Sequence, residues 1–303
     1  MRYFTSLVLL SLALTACKNE SDNASATQDD VQVLQSESYR FELSTFSMQR
    51  GVASVQVHMA SRDGSVLPGD AMVSIVPEMD MGTMKHGAPL APASGELDAS
   101  ANFSTHIYYL MNSSSEMGSW NLTVSYNGES VDFPVTVSDV NKVVLKNAAD
   151  TLSSGMSSGA RQYFMFVPHL GLHNGTDAHV EIYLAAKEGA YSYPGIATGV
   201  TLNTETASEF TVNSVAISIC PVAAAVDCET EESWTALIAD ENTAGLYGVE
   251  AVIEGYSKTG AFNVRLQVNG NTYTTTGNAY DAELNPGADG LFDFSEVETM
   301  NGM

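Results

Sequence analysis

From Tyr39 onward the apolar residues fall at every second position, and this period governs what the chain can fold into. The runs "YRFELSTF", "ASVQVHMA", "AMVSIV", "NFSTHIYYL", "GSWNLTVSY" and "VDFPVTV" are separated by Gly, Asn, Ser and Pro. The second half continues with "RQYFMFV", "AHVEIYLA", "VNSVAISI", "LYGVEAVI", "AFNVRLQV" and "NTYTTT". Alternation turns one face of each run to a core and the other to solvent, whereas a helix would need a period near 3.6. Short alternating runs with turn residues between them describe an antiparallel sandwich. The expected fold is all-β, with two immunoglobulin-like sandwiches over residues 37–140 and 141–303.

The halves resemble each other in sequence. "ASVQVHMASRDGSVLPG" from Ala53 matches "AHVEIYLAAKEGAYSYPG" from Ala178, and "GSWNLTVSYNG" from Gly118 matches "GAFNVRLQVNG" from Gly260. The matches keep their order and set apolar positions on apolar positions, as a tandem duplication does. Met59 then aligns with Leu184 and Trp120 with Phe262, so both are expected to be core residues, methionine being an ordinary gap-filler.

The N-terminus points to export. "MRYFTSLVLLSLALTAC" has one basic residue, an apolar run too short to span a bilayer, and small residues before Cys17. The end "LTAC" resembles the lipobox of bacterial lipoproteins. That resemblance implies cleavage after residue 16, a lipid on Cys17, a membrane anchor there, and delivery to the outer membrane facing the periplasm, since Lys18 follows. Residues 18–36 are polar enough to read as a flexible tether. Two cysteines remain, Cys220 and Cys228, and an even pair in an oxidising envelope reads as a disulfide. The formal net charge of −24, with only 12 basic residues, leaves no stripe for nucleic acid and favours cations.

One segment departs from the pattern. "VPEMDMGTMKHGAPL", Val76 to Leu90, holds Met79, Met81, Met84 and His86. The sister half reads "IATGVTLNTETASEF" after its Pro-Gly, without Met or His. Gly82, Lys85 and Gly87 suit a loop following a strand over Ala71–Val76. Thioether sulfur is soft and selects Cu(I), and imidazole suits copper in either state. Met79 with Met81, and Met84 with His86, share faces if extended, and a turn at Gly82-Thr83 would unite the pairs. Met111 and Met117, in "YYLMNSSSEMGSW", flank the next hairpin and are candidates to complete the ligand shell. His106 ranks lower, and His58 alternates away from the core.

The stretch "MVSIVPEMDMGTMKHGAPL…GELDASANFSTHIYYLMNSSSEMGSWNLTVSYNG" resembles the YtkA-like/FixH-like domain, over about residues 37–138. That resemblance implies a small exported β-sandwich associated with copper handling, its matching positions being Met79, Met81, Met84, His86, Met111 and the Gly118–Trp120 turn. It implies as partners a copper transporter or an oxidase-assembly protein. The long "NSSSEM" loop and the second half lie outside the family pattern.

Other candidates are weaker. His169, His173 and His179 in "PHLGLHNGTDAH" are a possible separate Cu(II) or Zn(II) set. "NPGADGLFDFSE", Asn285 to Glu296, imitates a calcium loop but has Gly287 where a ligand belongs, so calcium is not expected. No nucleophile elbow, zinc-protease motif or phosphate loop occurs, and no enzymatic activity is expected. The reading is a copper-binding envelope lipoprotein acting as a carrier, chaperone or sequestering protein. Its rival is a non-metal interaction or scaffold module.

Overall fold

The computed structural model describes residues 30–152, 159–173, 177–202, 210–223, 226–257, 260–274 and 291–293. The first half carries β1 (Asp30–Gln35), β2 (Tyr39–Gln49), β3 (Val52–Ser61), β4 (Met72–Asp80) and β5 (Lys85–His86). It continues with β6 (Leu90–Ala91), β7 (Ser94–Glu96), β8 (Asn102–Tyr108), β9 (Ser119–Tyr126) and β10 (Glu129–Val135). The second half begins with β11 (Val143–Leu152), β12 (Gly159–His173), β13 (Asp177–Ala186), β14 (Thr201–Leu202), β15 (Phe210–Thr211) and β16 (Val215–Pro221). It ends with β17 (Thr235–Ala236), β18 (Ile238–Ala239), β19 (Leu246–Ala251), β20 (Ala261–Val268), β21 (Asn271–Tyr273) and β22 (Leu291–Asp293). No α-helix occurs among the described residues. The protein is all-β, as its period requires.

In the first half one sheet runs β1-β2-β3-β8-β6 and the other β10-β9-β4-β5. Phe41, Leu43, Val55, Val57 and Met59 from one sheet meet Ile75, Met79, Trp120, Leu122 and Phe133 from the other in a single core. In the second half the sheets run β11-β12-β13-β19-β18 and β17-β16-β20-β21. Their core joins Leu145, Tyr163, Ile182 and Leu184 to Ile217, Ile219, Val264 and Leu266. Met59 and Leu184 are both buried, as are Trp120 and Phe262. All strand pairs are antiparallel, and Asn127-Gly128 and Asn269-Gly270 close hairpins with both residues at positive φ.

The tether expected over residues 18–36 is shortened at its end. Asp30–Gln35 pair in register with Arg40–Thr45 as the edge strand β1. Val31 and Val33 point to solvent, and only Leu34 leans on the core. This strand is held by main-chain bonds and little burial, so hydrophobic pattern carries almost no signal of it.

A third apolar cluster lies between the halves. Val52, Tyr108 and Leu110 of the first pack on Phe164, Phe166, Tyr183, Ala185 and Tyr193 of the second. The rings of Tyr108 and Tyr183 stack with centroids 3.9 Å apart. Thus the outward face of β12 and β13 is partly covered by the first half.

One buried polar network tightens the second half. Arg161 donates from Nε to Asp150 Oδ1 at 3.0 Å and also pairs with Glu188. The hydroxyls of Tyr163 and Tyr273 both donate to Asp150 Oδ2, at 2.8 and 2.9 Å. Asp150 therefore accepts from three buried donors, and removing it takes the acceptor from both tyrosine hydroxyls and one of two carboxylates from Arg161. Asp150→Ala is expected to destabilise the protein by about 3–5 kcal/mol, read as a lowered urea midpoint. A loss below about 1 kcal/mol would show that the network is dispensable.

Candidate metal-binding site

Strand β4 extends further than its sequence suggests. It runs through Asp80 rather than ending at Val76, and Val73, Ile75, Pro77 and Met79 alternate inward. Met79 is 0% exposed and belongs to the core, so it is not the loop residue expected from the neighbouring glycines. The physical reason is that β9 pairs β4 along its whole length, up to Met79 opposite Trp120 and Asp80 opposite Ser119.

A tight turn then reverses the chain. Gly82 sits at the first central position with φ +79°, and the Met81 N–H donates to the Met84 carbonyl at 3.0 Å. A positive φ at that position is what a two-residue hairpin of the II′ kind needs and what glycine supplies. Met79 pairs with His86 and Asp80 with Lys85. Residues directly opposite share a face. The hairpin therefore gathers Met79, Met81, Met84 and His86 on one side, as the turn at Gly82-Thr83 was expected to do.

Charges occupy the opposite side. Lys85 Nζ lies 2.6 Å from Glu78 and 3.5 Å from Asp80. The Tyr191 hydroxyl, from the second half, donates to Glu78 Oε2 at 2.8 Å, and the Gly87 N–H donates to the Ala190 carbonyl at 2.7 Å. The Lys85 ammonium, and then the Tyr191 hydroxyl, hold the Glu78 carboxyl below its ordinary range. The hairpin is thus clamped on its polar face and soft on the other.

His86 lies on the soft face. Its Nδ1 donates to the Gly87 carbonyl at 2.8 Å. Nε2 is buried and has no partner among the described residues. A metal-binding imidazole has the same second-shell arrangement, one ring nitrogen anchored to a carbonyl and the other presented. The His86 ring meets Trp120 edge-on at 5.3 Å, over Met79. The Tyr109 ring stands 5.0 Å from the same indole, and its buried hydroxyl also lacks a partner among the described residues. Two orphaned polar atoms thus border one indole.

The remaining expected ligands sit around this row. Met81 and Met111 are half-buried against the core, and the Met111 carbonyl accepts the Trp120 indole N–H at 2.9 Å. Met84 is 55% and Met117 41% exposed, so these two thioethers face solvent. Gly118, at φ +113°, lets the loop before β9 lie on the hairpin; a Cβ there would stand 2.3 Å from the Asp80 oxygen and 3.2 Å from the Met81 Cα. Sequence reasoning read Trp120 as a core aromatic and as part of the Gly118–Trp120 turn of the family pattern, and passed over Tyr109 and Tyr191. Their roles come from tertiary contacts, and "HIYYL" and "AYSY" hold no signal of them.

The other candidates fall out variously. Cys220 and Cys228 are joined in a disulfide, their Cα atoms 5.9 Å apart. His169 and His179 lie together, ring centroids 4.3 Å apart, while the His173 side chain and Cys17 are outside the described residues. Within Asn285–Glu296 only 291–293 are described; they pair with β20, burying Phe292 against Phe262. His58 Nδ1 is engaged by Asn102 at 3.1 Å. Among the described residues no three His, Cys, Asp or Glu side chains stand as a ready-made metal cluster. The chain matches no family model and no curated protein.

The orphaned Nε2 makes a stability prediction. An unsatisfied buried polar atom costs about 1–3 kcal/mol, and the bond from Nδ1 returns only about 1 kcal/mol. His86→Leu should therefore change metal-free stability by less than about 1 kcal/mol in urea unfolding. A loss of 3 kcal/mol would mark His86 as an ordinary core residue.

Proposed function

We propose that this protein binds Cu(I) at the β4–β5 hairpin and carries or sequesters it in a bacterial envelope. The observation that supports this reading best is the buried, unpartnered His86 Nε2 on the face shared with Met79, Met81 and Met84. Neutral thioethers and a neutral imidazole suit a soft monovalent ion and bring no charge that must be neutralised. Copper is cargo on this reading, and the chain performs no catalysis. Release would proceed by ligand exchange, the exposed Met84 and Met117 being the thioethers a partner's ligands can reach first.

The same proposal includes a lipid anchor on Cys17, a place at the outer membrane facing the periplasm, and kinship with the YtkA-like/FixH-like domain. It also includes an origin by tandem duplication, for which the like strand orders of the two halves speak. The partner would be a copper transporter or an oxidase-assembly protein. A second reading, a protein-contact module without metal, draws on the exposure of Met84 and Met117, since methionine is an adaptable contact residue.

Anaerobic titration with Cu(I) against a chromogenic chelator separates these readings. The wild-type chain should withhold one equivalent. The triple variant Met79→Leu, Met81→Leu, Met84→Leu should bind at least tenfold more weakly, in the range typical of lost metal-site groups (about 10–100-fold). Equal, weak competition by both proteins would overturn the copper reading and leave the contact module standing.

A further inference from the structure

A second group of metal-ligating side chains lies on the outward face of β12 and β13, apart from the hairpin. The register sets His169 opposite Glu181 and Gly171 opposite His179. Val180 and Ile182 of β13 point into the core, so His179 and Glu181 point away from it. On this outward face Tyr183 and Ala185 are covered by the first half. Glu181 is the next residue beyond that covered stretch and His179 the one after, so the group stands at the rim of the contact between the halves.

Gly171 gives the group its geometry. It stands between the two histidines' positions and contributes no side chain. A Cβ added there would lie 3.1 Å from His169 Nε2, so the His169 ring leans across the gap the glycine leaves. The His169 and His179 rings consequently approach to 4.3 Å between centroids, tilted by 45°. His179 Nε2 is 3.5 Å from Glu181 Oε1. Across the third strand, Glu250 of β19 is the direct partner of His179, which adds a carboxylate on the same face. A groove of about 330 Å³ between the halves opens beside Glu181, lined also by His106, Pro168 and Thr243.

Two imidazoles and a carboxylate are borderline-to-hard donors, unlike the thioethers of the hairpin, and they favour Cu(II) or Zn(II) over Cu(I).

We propose that His169 and His179, with Glu181 as a third donor, form a site for a divalent first-row ion in the second half, independent of the Met/His hairpin. The two rings stand 4.3 Å apart on paired strands but do not form a ready-made cluster with Glu181, so binding has to turn these side chains onto the ion. Water completes the coordination.

Cu(II) alone is the probe, added to the full, untagged chain and followed by electron paramagnetic resonance and by competition with a colorimetric chelator. The wild-type protein should take up one equivalent with superhyperfine splitting from two nitrogens. His169→Gln and His179→Gln should each weaken binding at least tenfold. Gly171→Val should do the same while keeping both histidines, because its side chain fills the gap over which the rings meet. His58→Gln, at a histidine outside both groups, should leave Cu(II) binding unchanged, which separates this result from the loss of a histidine in general. Unaltered Cu(II) affinity in a His169→Gln, His179→Gln double variant would overturn the proposal, as would a spectrum with a single coordinating nitrogen.

Discussion

The register of β4 between β9 and β5 is the constraint on which the first half's site depends. Main-chain pairing fixes Trp120, Met79 and His86 as one row across three strands. A slip of β4 by one residue would turn its side chains to the other face, exposing Met79 and burying Glu78 instead. Such a slip would forfeit most of the apolar area that closes that end of the core, and several kcal/mol with it. The hairpin's side chains therefore cannot be rearranged cheaply, which is the rigidity a metal site requires of its scaffold. The Lys85–Glu78–Tyr191 clamp on the outer face locks the same register from outside.

Comparison of the two halves separates what the fold needs from what it carries. Pro221 lies opposite Phe262 as Met79 lies opposite Trp120, so β16 is the counterpart of β4. This moves the sister segment away from the stretch after Pro194-Gly195 that sequence matching selected. The connection that follows β16 holds Cys228 and Trp234, with Trp234 donating to the Cys228 carbonyl at 2.9 Å and Arg265 stacked 4.0 Å over its ring. It has neither Met nor His. One end of a like sheet is closed by a disulfide and a cation–π stack, and the other by thioethers, an imidazole and an indole. Closing the sheet does not require the soft residues.

How much of this was legible in the sequence follows from which forces wrote the signal. Alternating burial is written directly into the residues, so the strands and the core faces were readable, the burial of Met59 and Leu184 included. The turn at Gly82-Thr83 was readable because only glycine meets its positive φ without cost. The end of β4 was not, since Gly82, Lys85 and Gly87 resemble loop composition while main-chain pairing to β9 carries the strand on to Asp80. Strand β1 was missed because it buries almost nothing. The meeting of His169 with His179 depends on a break in register between Phe166 and His169, and on the gap at Gly171. A bulge shifts facing by one position and leaves no periodic trace, so the histidines could be counted in sequence but not paired.

The two orphaned atoms beside Trp120 bear on why the soft residues are there. Buried polar groups in folded proteins are nearly always paired, because each unpaired one costs about 1–3 kcal/mol. Among the described residues the first half leaves His86 Nε2 and the Tyr109 hydroxyl unpaired, and both rings contact one indole. Burial also pushes the Tyr109 hydroxyl well above its ordinary range, so it stays protonated and is a donor in need of an acceptor. An apolar residue at either position would pack as well and remove the penalty. Such a cost persists where a ligand repays it: an ion on Nε2 returns the missing interaction, and binding to the folded state alone adds stability as the logarithm of ligand concentration over Kd. Metal-free and metal-loaded protein should therefore differ most in stability at the hairpin end of the first sandwich. In the second half, whose buried Asp150 accepts three hydrogen bonds, no buried side-chain nitrogen or oxygen among the described residues lacks a partner.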